Sequence, residues 1–168
     1  MKELILVRHA KSEWGTDNLK DIDRPLNARG YADAYRMSKW FKMEKLPPDL
    51  IVASYATRTL STAFIFAREF EYASEKLSIT ESFYEAKAQK ILSFIGKLNK
   101  DIERPMLFMH NPGITELVNS LNEDVFMDNV PTCGIVSIQF SIKNWSDINN
   151  AKGQLNYFHF PKDFKENA

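Results

Sequence analysis

The sequence has almost no cysteine, no charge of one sign in excess and no long hydrophobic run. Only one of its 168 residues is Cys, Cys133, so no internal disulfide can form and a reducing compartment is expected. Lys plus Arg is 22 and Asp plus Glu is 22, a formal net charge of zero. That balance argues against a nucleic acid or a membrane surface as the main partner. The longest wholly apolar stretches, Leu4–Val7 and Ala63–Ala67, fall far short of the roughly 20 residues a membrane span needs. The first residues include Glu3 and Arg8 and show no small-residue cleavage pattern, so no secretory signal is read there. No repeat, low-complexity tract or Ser/Gly/Pro-rich linker divides the chain. These absences predict a soluble, cytoplasmic protein with one domain over residues 1–168. They name no activity.

What is present is a set of short apolar runs separated by amphipathic stretches. Leu4–Val7, Leu50–Ala53 and Met106–Met109 are each too short to nucleate a helix and are read as buried strands. A shorter strand is expected over Lys76–Thr80, and a late antiparallel pair over Ile135–Phe140 and Leu155–Phe160. Gly30, Ala34, Met37 and Phe41 recur at helical spacing, predicting a helix from Ala28 to Lys45 that Pro47-Pro48 stops. A second helix follows Ser54–Thr57, with Leu60, Ala63, Phe64 and Ala67 expected on its buried face. Lys87–Asn99 is read as a third, and a fourth begins after Asn111-Pro112-Gly113 with Leu117, Val118 and Leu121 inward. Strands alternating with helices imply a three-layer α/β/α sandwich around a mixed, mostly parallel central sheet. The polar stretch from Ala10 to Asn27 is a long loop, and loops of that length in compact domains are usually functional.

In such sheets ligands gather beyond the carboxyl ends of the strands. There the first run ends in Arg8-His9, the second leads through Ser54 to Arg58, and the Met106–Met109 run ends in His110. Arg8 and His9 are adjacent, so they can meet only if the chain leaves strand geometry at that point. Two guanidinium groups suit a phosphate, and their charge disfavours protonation of a neighbouring imidazole. A neutral ring nitrogen in line with phosphorus is a nucleophile, while the remaining cationic and polar groups stabilise the equatorial oxygens. The constellation fits phosphoryl transfer through a phosphohistidine.

Leu6-Val7-Arg8-His9-Ala10-Lys11-Ser12 resembles the Arg-His-Gly signature of the histidine phosphatase (phosphoglycerate mutase-like) superfamily, with Ala10 in place of its glycine. Ser54–Arg58 with Ser61-Thr62-Ala63 resembles its second arginine motif, and Phe108–Gly113 the segment of its second histidine. Arg24-Pro25-Leu26-Asn27-Ala28-Arg29-Gly30 is similar to the short phosphohistidine phosphatases of the SixA type. The resemblance implies a phosphoglycerate mutase-like fold, His9 as the phosphorylated nucleophile, and a phosphate pocket of Arg8, Arg58 and His110. It also implies lesser phosphate or substrate contacts from Ser12 and Arg24, although an ion pair of Arg24 with Asp21 or Asp23 is an equal expectation. Glu85, after the third strand, is the first candidate for a general acid, with a solvated helix-entry residue an equal expectation, and Asp21 is the second.

Other signals are weaker. His9, His110 and His159 show no metal-ligand spacing, so no metal or other cofactor is expected, and His159 is given a structural or surface role. Cys133 lacks the Arg six positions on that a cysteine phosphatase needs, since residue 139 is Gln. No nucleotide-type phosphate loop occurs. Trp14 and Trp145 fall in loops and are read as partly buried, with the rim of a binding surface as the alternative. The expected activity is metal-independent dephosphorylation of phosphohistidine on a protein, for instance a histidine phosphotransfer domain. A small-molecule phosphoester phosphatase or phosphoglycerate mutase-like enzyme is the alternative, and a silent phospho-binding module the alternative of another class.

Overall fold

The apolar runs become strands because each is buried on both sides. In the computed structural model, which describes residues 1–15 and 17–164, these strands are β1 (Lys2–Arg8), β2 (Leu50–Ser54), β3 (Ser78–Thr80), β4 (Pro105–Met109), β5 (Ile135–Phe140) and β6 (Gln154–His159). They form one sheet in the order β3-β2-β4-β1-β5-β6. The pairs β2–β3, β2–β4 and β1–β4 are parallel, while β5 runs antiparallel to both β1 and β6. Successive β1 side chains alternate between two cores. Leu4 and Leu6 pack with α3 (Ala88–Ile95) and α4 (Gly113–Leu121), and Ile5 and Val7 with α1 (Ala28–Glu44) and α2 (Thr57–Glu69). Helices therefore cover both faces, giving the mixed α/β sandwich expected. No described helix is long and apolar enough to cross a membrane.

Helix α1 starts where the Asn27 side chain accepts the amide of Gly30 at 2.8 Å, and it stops before the two prolines. Gly30 has to be glycine for space, since a Cβ there would run into the Lys11 carbonyl. That contact seats the helix against the start of the long loop.

The elements depart from the sequence reading in four places. The strand expected over Lys76–Thr80 holds only for Ser78–Thr80, because Ser74–Lys76 form a 3-10 turn. The third helix ends at Ile95 rather than Asn99, with looser 3-10-type bonds carrying the chain on to Leu98. Trp145, expected to be a partly buried loop residue, is fully buried in the connection between β5 and β6, with its indole nitrogen donating to the Ile102 carbonyl at 2.8 Å. In α2 the inward face is turned from the one expected. Ala63 and Ala67 are buried, but Leu60 is half-buried and Phe64 is 37% exposed, while Thr59, Thr62 and Phe66 point inward. The cause is polar. Thr59 and Thr62 each find a hydrogen-bond partner at the head of the sheet, so their burial carries little desolvation penalty.

Candidate active site

Strand order places the carboxyl ends of β2, β4 and β1 side by side. β1 stops at Arg8 because the Cys133 amide, on a residue with φ 58°, donates to the carbonyls of Arg8 (3.1 Å) and His9 (3.0 Å). The His9 amide donates to Met109 at the end of β4, 3.1 Å away. This break in strand geometry lets the adjacent side chains of Arg8 and His9 line one cavity, of about 220 Å³. Arg58 enters from the first turn of α2, and His110 from the residue after β4. Thr62 locks α2 to the loop after β1, accepting the Ala10 amide at 3.0 Å and donating to the Arg58 carbonyl at 2.8 Å. Gly113 lets α4 begin close against the Ala86 carbonyl, where a Cβ would collide.

The two imidazole rings lie 5.2 Å apart between centroids, and both residues are 7% exposed. His9 Nδ1 lies 2.8 Å from the Ala10 carbonyl, which can only accept, so Nδ1 carries the proton and Nε2 keeps its lone pair. The His9 pKa is lowered to about 3, chiefly by burial, with His110, Arg58 and Arg8 adding smaller repulsions against the Ala10 hydrogen bond. His110 is likewise lowered to about 3 by burial first and Arg58 next. The arginine charges thus act in the direction expected from sequence, but desolvation is the larger cause. Both rings are neutral near pH 7.

His110 Nε2 faces Ser54 Oγ at 2.7 Å and Thr59 Oγ1 at 3.2 Å, which fixes the ring. Its Nδ1 has no partner, and neither has Nε of Arg8 or of Arg58, although all three atoms are buried. A buried donor left unmade costs about 1–3 kcal/mol, more when charged. With Arg8, Arg24 and Arg58 in its wall beside two neutral imidazoles, the cavity has the charge and the donors of an anion site.

Ser12 and Arg24 both line the cavity. Of the two expectations for Arg24 the ion pair is present, to Asp21 Oδ1 at 3.0 Å, and the guanidinium also donates to Ser12 Oγ at 2.6 Å. The Arg24 guanidinium stacks 3.6 Å above the Trp14 ring, which is 67% exposed and lines the cavity, the alternative expected of it in place of partial burial. Of the roles expected of it His159 has the structural one, packed against Trp40 with ring centroids 4.7 Å apart.

Neither carboxylate proposed as general acid is placed for that work. Glu85 is exposed, has φ 49° and does not line the cavity. In this turn its neighbour Tyr84 takes the inward position, with its ring edge-on to His110. Asp21 faces the site but is held as a carboxylate. Its Oδ2 accepts from Tyr84 (2.6 Å) and Arg58 (3.1 Å), and its pKa is lowered to about 2, chiefly by the Tyr84 bond. Sequence reasoning missed Tyr84, Thr59 and Thr62. Thr62 lay within the second arginine motif and Thr59 directly after its arginine, and Tyr84 was one residue from the candidate chosen. Cys133 is fully buried, which pushes its thiol up and makes it unfit as a nucleophile. Among the described residues no group of three or more His, Cys, Asp or Glu is arranged to hold a metal ion.

Residues 4–91 match the profile of the histidine phosphatase superfamily (branch 1), and the chain belongs to that family, whose members are enzymes of the phosphatase and mutase type. Within it, the structure is similar to the putative phosphohistidine phosphatase SixA of Agrobacterium tumefaciens, with TM-score 0.81 and 25% identity over 94% of this chain and 97% of that one. A protein histidine phosphatase SixA solved with tungstate shares the fold at TM-score 0.83, with 18% identity over 97% and 99% of the two chains. In sequence, phosphoglycerate mutase 1 of Saccharomyces cerevisiae is 39% identical over 67 residues, covering 39% of this chain and 27% of the mutase.

Proposed function

We propose that this chain removes phosphoryl groups from phosphohistidine on proteins, through a covalent intermediate on His9 and without a metal ion. The observation that carries the reading is the composition of the cavity wall: Arg8, His9, Arg58 and His110 line it, and none of its described lining residues is Asp or Glu. Asp21, the nearest carboxylate in the network, is ionised against Arg58. A site without a neutral carboxyl protonates an alkoxide leaving group poorly. It serves a P–N bond well, because a phosphorylated imidazole whose other nitrogen carries a proton leaves as neutral imidazole.

The lone pair of His9 Nε2 forms the new P–N bond as the substrate's P–N bond breaks, with no net proton transferred. The ring is held for this by the Nδ1–H bond to Ala10. The guanidinium groups of Arg8 and Arg58 and the His110 ring, which line the cavity, stabilise the equatorial oxygens. Water then attacks phosphorus as the P–Nε2 bond breaks, releasing dihydrogen phosphate and neutral His9. The likeness to the Agrobacterium SixA supports this substrate class.

The local identity with yeast phosphoglycerate mutase favours a second reading, a small phosphoester substrate. The two separate in one assay: release of phosphate from a histidine-phosphorylated protein against release from 3-phosphoglycerate and sugar phosphates, with EDTA present. The proposal expects the phosphoprotein to be preferred by about 10²-fold or more in kcat/KM, with no loss in chelator and no turnover for His9→Ala. Preference for an ester, or loss of activity in EDTA, would overturn it.

A further inference from the structure

Beside the phosphate cavity lies a second, larger depression of about 700 Å³, and Asn111 belongs to the walls of both. It is formed by the outer face of α4 and residues 126–129, with Glu116, Asn119, Phe126, Met127 and Asp128 among its lining. It differs from the phosphate cavity in both polarity and charge. Its exposed lining is mostly apolar, and it contains Glu116 and Asp128 but no Lys or Arg among the described residues.

The loop that forms its outer wall is firmly held. The Asn119 side chain bonds the Met127 backbone in both directions, donating to the carbonyl and accepting from the amide at 2.8 Å each. Asn122 Oδ1 accepts the amides of Asp124 and Val125, and Asp124 in turn accepts the Leu155 amide. The Val130 amide donates to Thr115 Oγ1. Yet this pinned segment presents Val125 at 45% and Phe126 at 78% exposure, flanked by Glu123, Asp124 and Asp128. A rigid backbone that holds an aromatic side chain in water next to a reaction cavity has the form of a docking surface.

We infer that this groove docks the body of the phosphoprotein substrate, specifically an amphipathic helix whose apolar face covers Phe126 and whose basic residues meet Glu116 and Asp128. The occupant follows from charge complementarity. The cavity side is positive through Arg8, Arg24 and Arg58, and the groove side negative. The matching ligand is an anionic phosphoryl group with lysine or arginine on the neighbouring surface. Asn111 is common to both walls, so the groove adjoins the cavity that holds His9. This inference rests on the phosphohistidine reading above and specifies its partner.

The test uses the full chain, free phosphohistidine, and two synthetic helical peptides that carry one phosphohistidine and the same apolar face. One peptide has flanking lysines and the other flanking glutamates. The lysine peptide is expected to show a KM about tenfold below that of the glutamate peptide. Phe126→Ala should raise the lysine-peptide KM about tenfold and leave free phosphohistidine unchanged. The double variant Glu116→Lys, Asp128→Lys should abolish or invert the preference between the peptides, with a folded-state circular dichroism spectrum retained. Equal KM values for the two peptides, or Phe126→Ala acting equally on free phosphohistidine, would overturn the docking inference while the phosphatase reading stands. Failure to turn over any P–N substrate would overturn the reading itself.

Discussion

At the amino end of the sheet the buried ammonium of Lys2 donates to the carbonyls of Lys100 and Ile102 and to Glu103 Oε1, and all three of its protons are used. At the carboxyl end Arg8 and Arg58 are also largely buried, but each keeps a guanidinium Nε without any partner. Arg8 reaches only the Val130 carbonyl, and Arg58 only Asp21. The same sheet thus buries cations in two ways. A charge whose donors are all satisfied holds the fold together, whereas one with a donor left over in a cavity wall is placed to take an anion.

The comparison is broken most directly by removing the unsatisfied charges. Arg58→Ala or Arg8→Ala should lower kcat/KM for a phosphohistidine substrate by about 10²–10³. A loss under tenfold in steady-state assays would make these arginines structural like Lys2.

Acid should act on the carboxyl end next. His9 and His110 have folded-state pKa values near 3, below the ordinary imidazole value of 6.5. Between those limits the unfolded chain binds more protons, so stability falls as pH drops from about 6.5 towards 3. With two imidazoles the slope approaches about 2.7 kcal/mol per pH unit. Asp21, lowered to about 2, adds a loss of the same sign only below the ordinary carboxylate range. Urea unfolding at pH 7 and pH 5 measures this, and a flat profile would refute the neutral-imidazole assignment.

A smaller effect concerns the carboxylate that faces Arg58. Asp21→Asn removes a negative charge from beside the anion site, so inorganic phosphate should inhibit up to about fivefold more strongly. Unchanged or weaker inhibition would mean that Asp21 does not compete with phosphate for Arg58. The smallest catalytic effect is expected at the other end of the sheet. Lys2→Met leaves its acceptors unmatched and should cost about 1–3 kcal/mol in stability, with turnover per folded molecule unchanged. A fall in kcat would show that the two ends are coupled.

Much of this architecture was legible because its signals are local. Leu4–Val7 and Met106–Met109 read as strands since they are buried on both faces, and Gly30, Ala34, Met37 and Phe41 marked the inner side of α1. The grouping of Arg8, His9, Arg58 and His110 followed from placing them at the carboxyl ends of strands, and the cavity contains all four. What could not be read depends on which way single side chains turn. Thr59 and Thr62 point inward because tertiary hydrogen bonds await them, which apolar periodicity does not register. Tyr84 rather than Glu85 faces the site because a turn with φ 49° at Glu85 decides between neighbours. The groove beside α4 was invisible as well, since it joins residues from a helix and a later loop.

The central claim is that the lone pair on His9 Nε2 takes up the phosphoryl group. Mixing the enzyme with a 32P-phosphohistidine protein, quenching in alkali within the first turnover and mapping the label tests it directly. The account predicts acid-labile, alkali-stable phosphate on His9 and none in His9→Ala. Phosphate release with no label on the enzyme, or label on any other residue, would contradict it.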